Sequence, residues 1–306
     1  MSKILVIGDL MLDKYSYGLV RRLNPEWPSQ LLNVDREEYK LGWAANVASN
    51  IASLNGEVEL IGAIWKDDHG KKFELLCHEN HVHLNPIILW LPTITKHRFI
   101  ETTYQQQLLR VDYEERCSMS HQDNEIILSL LQKIAPQYIV FSDYNKWMIN
   151  RELVDWVKHY AQEHDIKIFV DTKPTNLKFF EGVYLIKPNL KEFRQMIGYE
   201  ELQNTDEAIK EYGLQFVHQY KVNLVITRWN KWAALITRDG EFHSLSTKVK
   251  QVFDVTWAWD TFLAAIVYAL AHGQDITSAV DLGNRASGIV VGKLGTATVT
   301  PEELGL

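Results

Sequence analysis

The chain has 306 residues, 46% hydrophobic and 23% charged, the balance of a globular protein long enough to bury a large core. Its net charge of −7 argues against nucleic acid as the main partner, since such domains carry a basic face, but a local basic cluster for a phosphorylated ligand stays compatible with it. Cys77 and Cys117 fit no disulfide or metal spacing, the apolar start Ile4–Ile7 is too short for a signal peptide, and no run approaches a membrane span, so a cytoplasmic protein with no membrane partner is expected.

Leu5 to Ile7 reads as a short buried strand. Residues 13–40 alternate polar and apolar, broken by Pro25 and Pro28, and suit exposed strands of a small sheet. Ala44 to Leu54 reads as a helix with small residues on one face, ended by Asn55-Gly56, and Val58 to Ile64 as a core strand. Residues 87–112 form a second β-rich excursion. The two excursions are expected to pair into a lid on a single domain spanning 1–306.

From there strands and helices alternate. Strands are expected at Tyr138–Ser142, Lys167–Asp171, Val183–Lys187, Asn223–Thr227 and Ala233–Thr237. Helices are expected at Asp123–Lys133, Arg151–His164, Leu190–Ile197, Thr205–Gln219, Thr261–Ala271 and Ile276–Val291. This order predicts an α/β fold with a doubly wound, mostly parallel sheet, in which ligands bind beyond the carboxyl ends of the strands. Asp143, Asp171, Asn189 and Arg228 all fall at or just after such ends. His81 and His83 are alternate residues in a polar stretch with no metal spacing.

The stretch Asp254-Val255-Thr256-Trp257-Ala258-Trp259-Asp260-Thr261 carries most of the chemical information. It resembles the catalytic signature of ribokinase-like sugar kinases, with tryptophan at its two glycines. Other blocks carry the same resemblance: Gly8 to Asp13, Asn24 to Pro28, Gly42 to Ala48, Pro92 to Lys96, Gln106 to Arg110, Ser142 to Lys146, Pro188 to Glu192, and Val290 to Thr296. The match covers nearly the whole chain. Within the family it is nearest to kinases acting on the anomeric oxygen of D-glycero-D-manno-heptose 7-phosphate, including the kinase half of bifunctional heptose enzymes. Their nucleotidyltransferase half has no expected counterpart in these residues.

The resemblance implies a ribokinase-like fold, ATP and Mg²⁺ as cofactors, K⁺ as an optional ion, a role in ADP-heptose and lipopolysaccharide core synthesis, and a homodimer through the lid sheet. Asp260 would be the general base, and the backbone of Trp257, Ala258 and Trp259 an anion hole at a helix start. An Asp that merely complements a helix dipole is the plainer alternative. Asp13, Gly42 and Asn46 would hold the sugar, with Lys96, Arg98 and Arg110 gripping its phosphate and Asp143 and Lys146 near the reacting centre. A lid charge in water, a turn carboxylate or a helix cap would explain these as simply. Asn189 and Glu192 would organise Mg²⁺ through water, though the same spacing makes a capping box. Thr227, Arg228, Thr256 and Asn284 would lie along the nucleotide, and Asp254 beside a monovalent cation.

The tryptophans are unusual: ten, against sixteen glycines. Seven of them, Trp43, Trp65, Trp147, Trp229, Trp232, Trp257 and Trp259, stand where the family pattern has glycine. Moving those seven leaves three tryptophans and twenty-three glycines. Random decay would scatter many residue types over such positions. One type recurring suggests UGA codons written as Trp where the gene's own code reads Gly. The alternative is a true chain whose site has been closed by aromatic residues.

Overall fold

A computed structural model describes residues 2–115, 118–228, 231–246, 258–293 and 297–306. The strands in chain order are β1 (Ile4–Gly8), β2 (Leu10–Leu23), β3 (Gln30–Trp43), β4 (Val58–Ile64), β5 (His83–Ile88), β6 (Thr95–Glu101), β7 (Gln106–Tyr113), β8 (Tyr138–Ser142), β9 (Lys167–Asp171), β10 (Leu185–Ile186), β11 (Asn223–Thr227), β12 (Ala233–Ile236) and β13 (Phe242–Leu245). The helices are α1 (Ala44–Ser53), α2 (Asp68–Glu79), α3 (His121–Ile134), α4 (Arg151–Glu163), α5 (Leu190–Ile197), α6 (Asp206–Tyr220), α7 (Ala258–Ala271), α8 (Ile276–Val291) and the short α9 (Pro301–Leu304).

Among the described residues the main sheet has nine strands in the order β13-β12-β11-β10-β9-β8-β1-β4-β5. It is parallel from β5 to β11, and β12 and β13 add antiparallel hairpin strands at one edge. A second sheet of four strands runs β3-β2-β6-β7. The segment 87–112 therefore divides between the sheets. Ile87 and Ile88 end the edge strand of the main sheet, because Glu59 to Ile64 pair in register with His83 to Ile88; only β6 and β7 join the small one.

The run Ile4-Leu5-Val6-Ile7 shows why the main sheet lies inside. Ile4 and Val6 join one apolar cluster with α1, α7 and α8, while Leu5 and Ile7 join another with α3, α4 and α6. A strand covered on both faces needs no polar alternation, and each fully buried aliphatic side chain stabilises by about 1.5–3 kcal/mol. The helix α7 is apolar nearly all round, with eleven of its residues buried, Asp260 and Thr261 among them.

Gly8 sets the geometry at the carboxyl edge. A Cβ there would lie 2.2 Å from the Ser142 carbonyl oxygen and 2.9 Å from the Ala44 Cβ. Only glycine lets β1, β8 and the start of α1 approach so closely. That approach brings Asp9, Asp143 and Asn46 to one end of the sheet.

Candidate active site

Asp260 sits in the first turn of α7 and is 2% exposed. Both its oxygens are held. The Asn46 side-chain amide donates to Oδ2 at 2.8 Å, and the Tyr144 hydroxyl donates to Oδ1 at 3.2 Å. Asn50 donates to the Asn46 carbonyl oxygen at 2.8 Å, and Thr261 donates to Asn50 Oδ1 at 2.8 Å. This run of bonds locks the first turns of α1 and α7 together, so Asn46 orients the carboxylate rather than capping its own helix. The expected cap at this helix start is replaced by Trp43, which makes no side-chain cap bond.

Burial pushes the Asp260 carboxyl up to about 7; nearby Asp171 adds to the rise, while Asn46, Lys187 and Tyr144 oppose it. The buried ion pair Lys187–Asp171, at 2.7 Å, supplies both of the charged neighbours. A base that titrates near neutrality is well matched to proton abstraction. The rate of any step that needs ionised Asp260 is expected to rise with pH through about 7, and Asn46→Ala, which removes a bond favouring the ionised form, moves that rise to higher pH. A pH–rate profile of the two proteins checks this.

Asp9 was not singled out by the sequence, yet it organises the loop after β8. Its carboxylate accepts the backbone N–H groups of Tyr144 at 2.8 Å, Lys146 at 3.0 Å and Met148 at 3.2 Å. Burial pushes its carboxyl to about 7, with Asp143 adding repulsion and the three amides opposing. Asp9 and Asp260 thus bind protons more tightly folded than unfolded. Their contribution to stability is present below the ordinary carboxylate value of 3.8 and is lost as pH rises toward about 7.

Asp143, expected near the substrate, spends its oxygens locally. Thr172 donates to it at 2.6 Å, Asn176 at 2.9 Å and the Asn145 amide at 2.8 Å. Lys146 pairs with Glu114. These two residues shape the loop that carries Tyr144.

The small sheet places the expected acceptor residues in one ladder. Asp13 faces Lys96, and Arg98 faces Arg110, across neighbouring strands. Asp13 is fully buried and paired with Arg98, while its Oδ2 has no partner. That oxygen faces Gly42, 3.3 Å from where an ideal Cβ would stand. Burial pushes the Asp13 carboxyl up and the Lys96 ammonium down. Arg110 is half-exposed and holds Asp112 at 2.8 Å, which leaves it outside the buried cluster.

On the side expected to take the nucleotide, Asn189 and Glu192 form a reciprocal capping box at the start of α5, at 2.9 and 3.0 Å. Glu192 Oε1 also takes the Lys173 ammonium at 2.5 Å. With both its oxygens engaged, Glu192 could hold Mg²⁺ only through that ion's own water, which is how this hydrated cation commonly binds. Among the described residues no group of three His, Cys, Asp or Glu side chains forms a metal cage. Thr227 Oγ1 is buried without a partner. Arg228, fully buried, donates to Asp206 at 2.6 Å and Asn204 at 2.8 Å and so braces the strand end, while its Nη2 is buried without a partner. Asn284 lines a cleft of about 630 Å³ with His243, Ser244, Thr277 and Asp281, between β13 and α8. Asp254, Thr256 and Trp257 lie outside the described residues.

Of the seven suspect tryptophans, Trp229 and Trp257 are likewise outside. Three of the other five, Trp43, Trp147 and Trp232, have φ of 54°, 75° and 59°. None of Trp27, Trp90 and Trp156 does. Left-handed φ on a bulky side chain is rare and costs about 1–3 kcal/mol. Trp43 also has ψ of −126°, the backbone of a turn position that glycine dominates. Trp232 and Trp259 pack together at 5.4 Å between ring centres. The backbone thus asks for glycine at three positions picked out by pattern alone. Codons of UGA at 43, 147 and 232 are the expected result of sequencing the gene, and UGG at these sites would end the recoding idea.

Comparison with known proteins extends this picture. The model of the pfkB family of carbohydrate kinases matches residues 1–303. The bifunctional protein HldE of Haemophilus influenzae Rd is 38% identical over 307 residues, covering 99% of this chain and 63% of its own length. HldE of Pasteurella multocida Pm70 is 37% identical over the same shares. The chain spans just under two thirds of these relatives. Among solved structures, phosphofructokinase-2 of Escherichia coli with potassium superposes with a TM-score of 0.82 at 16% identity, over 100% of this chain and 97% of its own. Arabidopsis thaliana ribokinase with ribose and ATP gives 0.73 at 19%, over 99% and 97%. The architecture is therefore ribokinase-like, as expected: a large, mostly parallel sheet flanked by helices, with a smaller sheet beside it.

Proposed function

The chain belongs to the pfkB family of carbohydrate kinases, and from that premise we propose that it transfers the γ-phosphate of ATP to the anomeric hydroxyl of D-glycero-D-manno-heptose 7-phosphate. The products would be ADP and heptose 1,7-bisphosphate, an intermediate toward ADP-heptose and lipopolysaccharide core. The observation that carries the reading is the buried Asp260 at the start of α7, aimed by Asn46 and Tyr144 and raised to about 7.

In this mechanism Asp260 accepts the hydroxyl proton as the sugar oxygen attacks in line. The free backbone N–H groups of the first turn of α7 face the transferring phosphoryl group. Asp13 and Asn46 hold sugar hydroxyls, and Lys96 with Arg98 meets the far phosphate, for which a charged fork suits. Mg²⁺ near Asn189 and Glu192 would neutralise phosphate charge when bound. Asn284 and its cleft would take the base end of the nucleotide.

The test is a coupled ADP-release assay with Mg·ATP across a panel of sugar phosphates, on the chain as written and with glycine at 257 and 259. Heptose 7-phosphate is expected to turn over best. Turnover of another sugar phosphate with none of the heptose would overturn the substrate. A second reading, a sugar-binding homologue that no longer transfers phosphate, is favoured by Trp43 stacked on the Tyr144 that bonds Asp260; it predicts no turnover even after the glycines are restored.

A further inference from the structure

We infer that Asp9 is a positioning residue for Asp260: its carboxylate folds the loop after β8 around itself and so carries the Tyr144 hydroxyl to the base. Its effect on turnover rests on the kinase reading; the bonding behind it does not.

Gly8 lets the end of β1 lie against Ser142, and Asp9 is the next residue. Its main chain is tied on both sides. The Asp9 N–H donates to the Ser142 carbonyl at 3.2 Å, and the Asp9 carbonyl accepts from the Ala44 N–H at 3.3 Å. The side chain is 2% exposed. Its Oδ2 accepts the Tyr144 and Lys146 amides, and its Oδ1 accepts the Met148 amide. These donors alternate with residues 145 and 147, whose φ are 57° and 75°. Left-handed residues between ordinary ones let backbone N–H groups converge, which makes a concave seat for an anion. Here the anion is supplied by the chain itself. Glycine, expected at 147, takes such a backbone without steric strain.

Tyr144 opens this loop. Its hydroxyl donates to Asp260 Oδ1 at 3.2 Å, and the Lys173 ammonium lies 4.9 Å from the centre of its ring. Asp9 makes no hydrogen bond to Asp260 among the described residues; the connection runs through the backbone and the phenol. Asn46, on the other oxygen of the base, comes from α1 and not from the loop. An asparagine at position 9 has one acceptor oxygen for the converging amides and turns an NH₂ group toward the rest. A buried N–H without an acceptor is costly, so the loop is expected to relax and take Tyr144 away from Asp260. Asp260 then loses a bond that favours its ionised form.

The charges that act on this pair are Asp143 on Asp9, and Asp171 and Lys187 on Asp260. Removing the negative charge of Asp9 would reach Asp260 through space in the opposite sense, easing its ionisation. The direction of the change therefore separates the loop from the field. The experiment is a ¹³C NMR titration of the full chain, labelled at aspartate carboxyls, without ATP or sugar. The Asp260 signal is identified by its loss in Asp260→Asn. Tyr144→Phe is expected to raise the Asp260 midpoint by about one pH unit, the worth of one hydrogen bond to a charged group. Asp9→Asn is expected to raise it by a similar amount. In the Tyr144→Phe background Asp9→Asn is expected to add nothing, because the route to the base is already cut. Each single change is also expected to lower kcat about 5-fold at a pH of about 7, the fall in the ionised fraction, with little change in KM. If Asp9→Asn fails to unfold cooperatively, Asp9→Ser makes the same comparison.

A folded Asp9→Asn or Asp9→Ser chain whose Asp260 midpoint stays in place or falls overturns the inference. So does a rise of the same size in the Tyr144→Phe background. The kinase reading fails separately. The expected rises with no ADP released from any sugar phosphate, once glycine stands at 257 and 259, remove the kinase and keep the role of Asp9. Turnover with an Asp260 midpoint unmoved by Asp9→Asn keeps the kinase and removes that role.

Discussion

Asp260→Asn is expected to lower kcat for sugar phosphorylation by about 10³-fold, within the range that a positioned general base supplies, with little change in KM. The reason is local. Asp260 is buried in the first turn of α7, and Asn46 and Tyr144 fix both its oxygens. The asparagine is nearly the same size and can still accept one of those bonds, so the turn should survive and the proton acceptor should not. Burial holds the wild-type carboxyl near 7, and the pH dependence traced to it should vanish in the variant along with the rate. The measurement is steady-state ADP release at several pH values, made on the glycine-restored chain if the written one turns over too slowly. Retention of more than about a tenth of the activity would remove Asp260 from the role of base.

The second large effect is a gain. Glycine at both 257 and 259 is expected to raise kcat by about 10²–10³-fold over the written chain, the worth of a single well-placed oxyanion donor. Asp260 follows directly on 259, so these residues lead into the turn whose backbone would face the phosphoryl group. The Trp259 side chain packs on Trp232 and Phe262, with centres at 5.4 and 6.3 Å. Trp232 has φ of 59° and an unpartnered indole N–H. Two aromatic rings therefore fill the space beside the start of α7, one of them on a strained backbone. Single-turnover transfer with saturating Mg·ATP measures the gain directly. No gain, with the restored chain folded, would mean that the indoles do not obstruct the turn, and would favour the sugar-binding alternative.

Much of the fold is legible in the sequence because its strands are short apolar runs with abrupt ends. Tyr138–Ser142, Lys167–Asp171 and Asn223–Thr227 match their expected bounds. The helix α2 escaped reading: Asp68–Glu79 is rich in Asp, Lys, His and Glu, and only Gly70, Phe73, Leu76 and Cys77 form its buried stripe. Of β5, the sequence reading catches only Ile87 and Ile88 and joins them to the excursion; at the sheet's edge Pro86 needs no partner for the amide it lacks. For the candidate site, the sequence offers residue types and strand-end positions but not the directions of side chains. Asp260 and Asn46 meet, although 214 positions separate them. Asp143 and Arg228 fall at strand ends, and both bond their own neighbours, with the Arg228 Nη2 left unpartnered. Tyr144 and Asp9 were quoted in motifs without being given a role. Their signal is positional, since each directly follows a residue that ends or borders a core strand, and no spacing rule says which way a loop side chain will turn.

The ladder of the small sheet has a consequence for how such proteins diversify. Asp13, Lys96 and Arg98 sit on paired strands whose register ties them to one another, while Asn189, Thr227 and Asn284 belong to the larger sheet and its helices. Under the proposed mechanism, the part that would choose the acceptor is built apart from the part that would hold the donor. On that reading, substitutions on β2 and β6 would shift preference from one phosphorylated sugar to another while the nucleotide half is inherited unchanged. Lineages of this architecture can thus acquire new acceptors without reinventing their use of ATP.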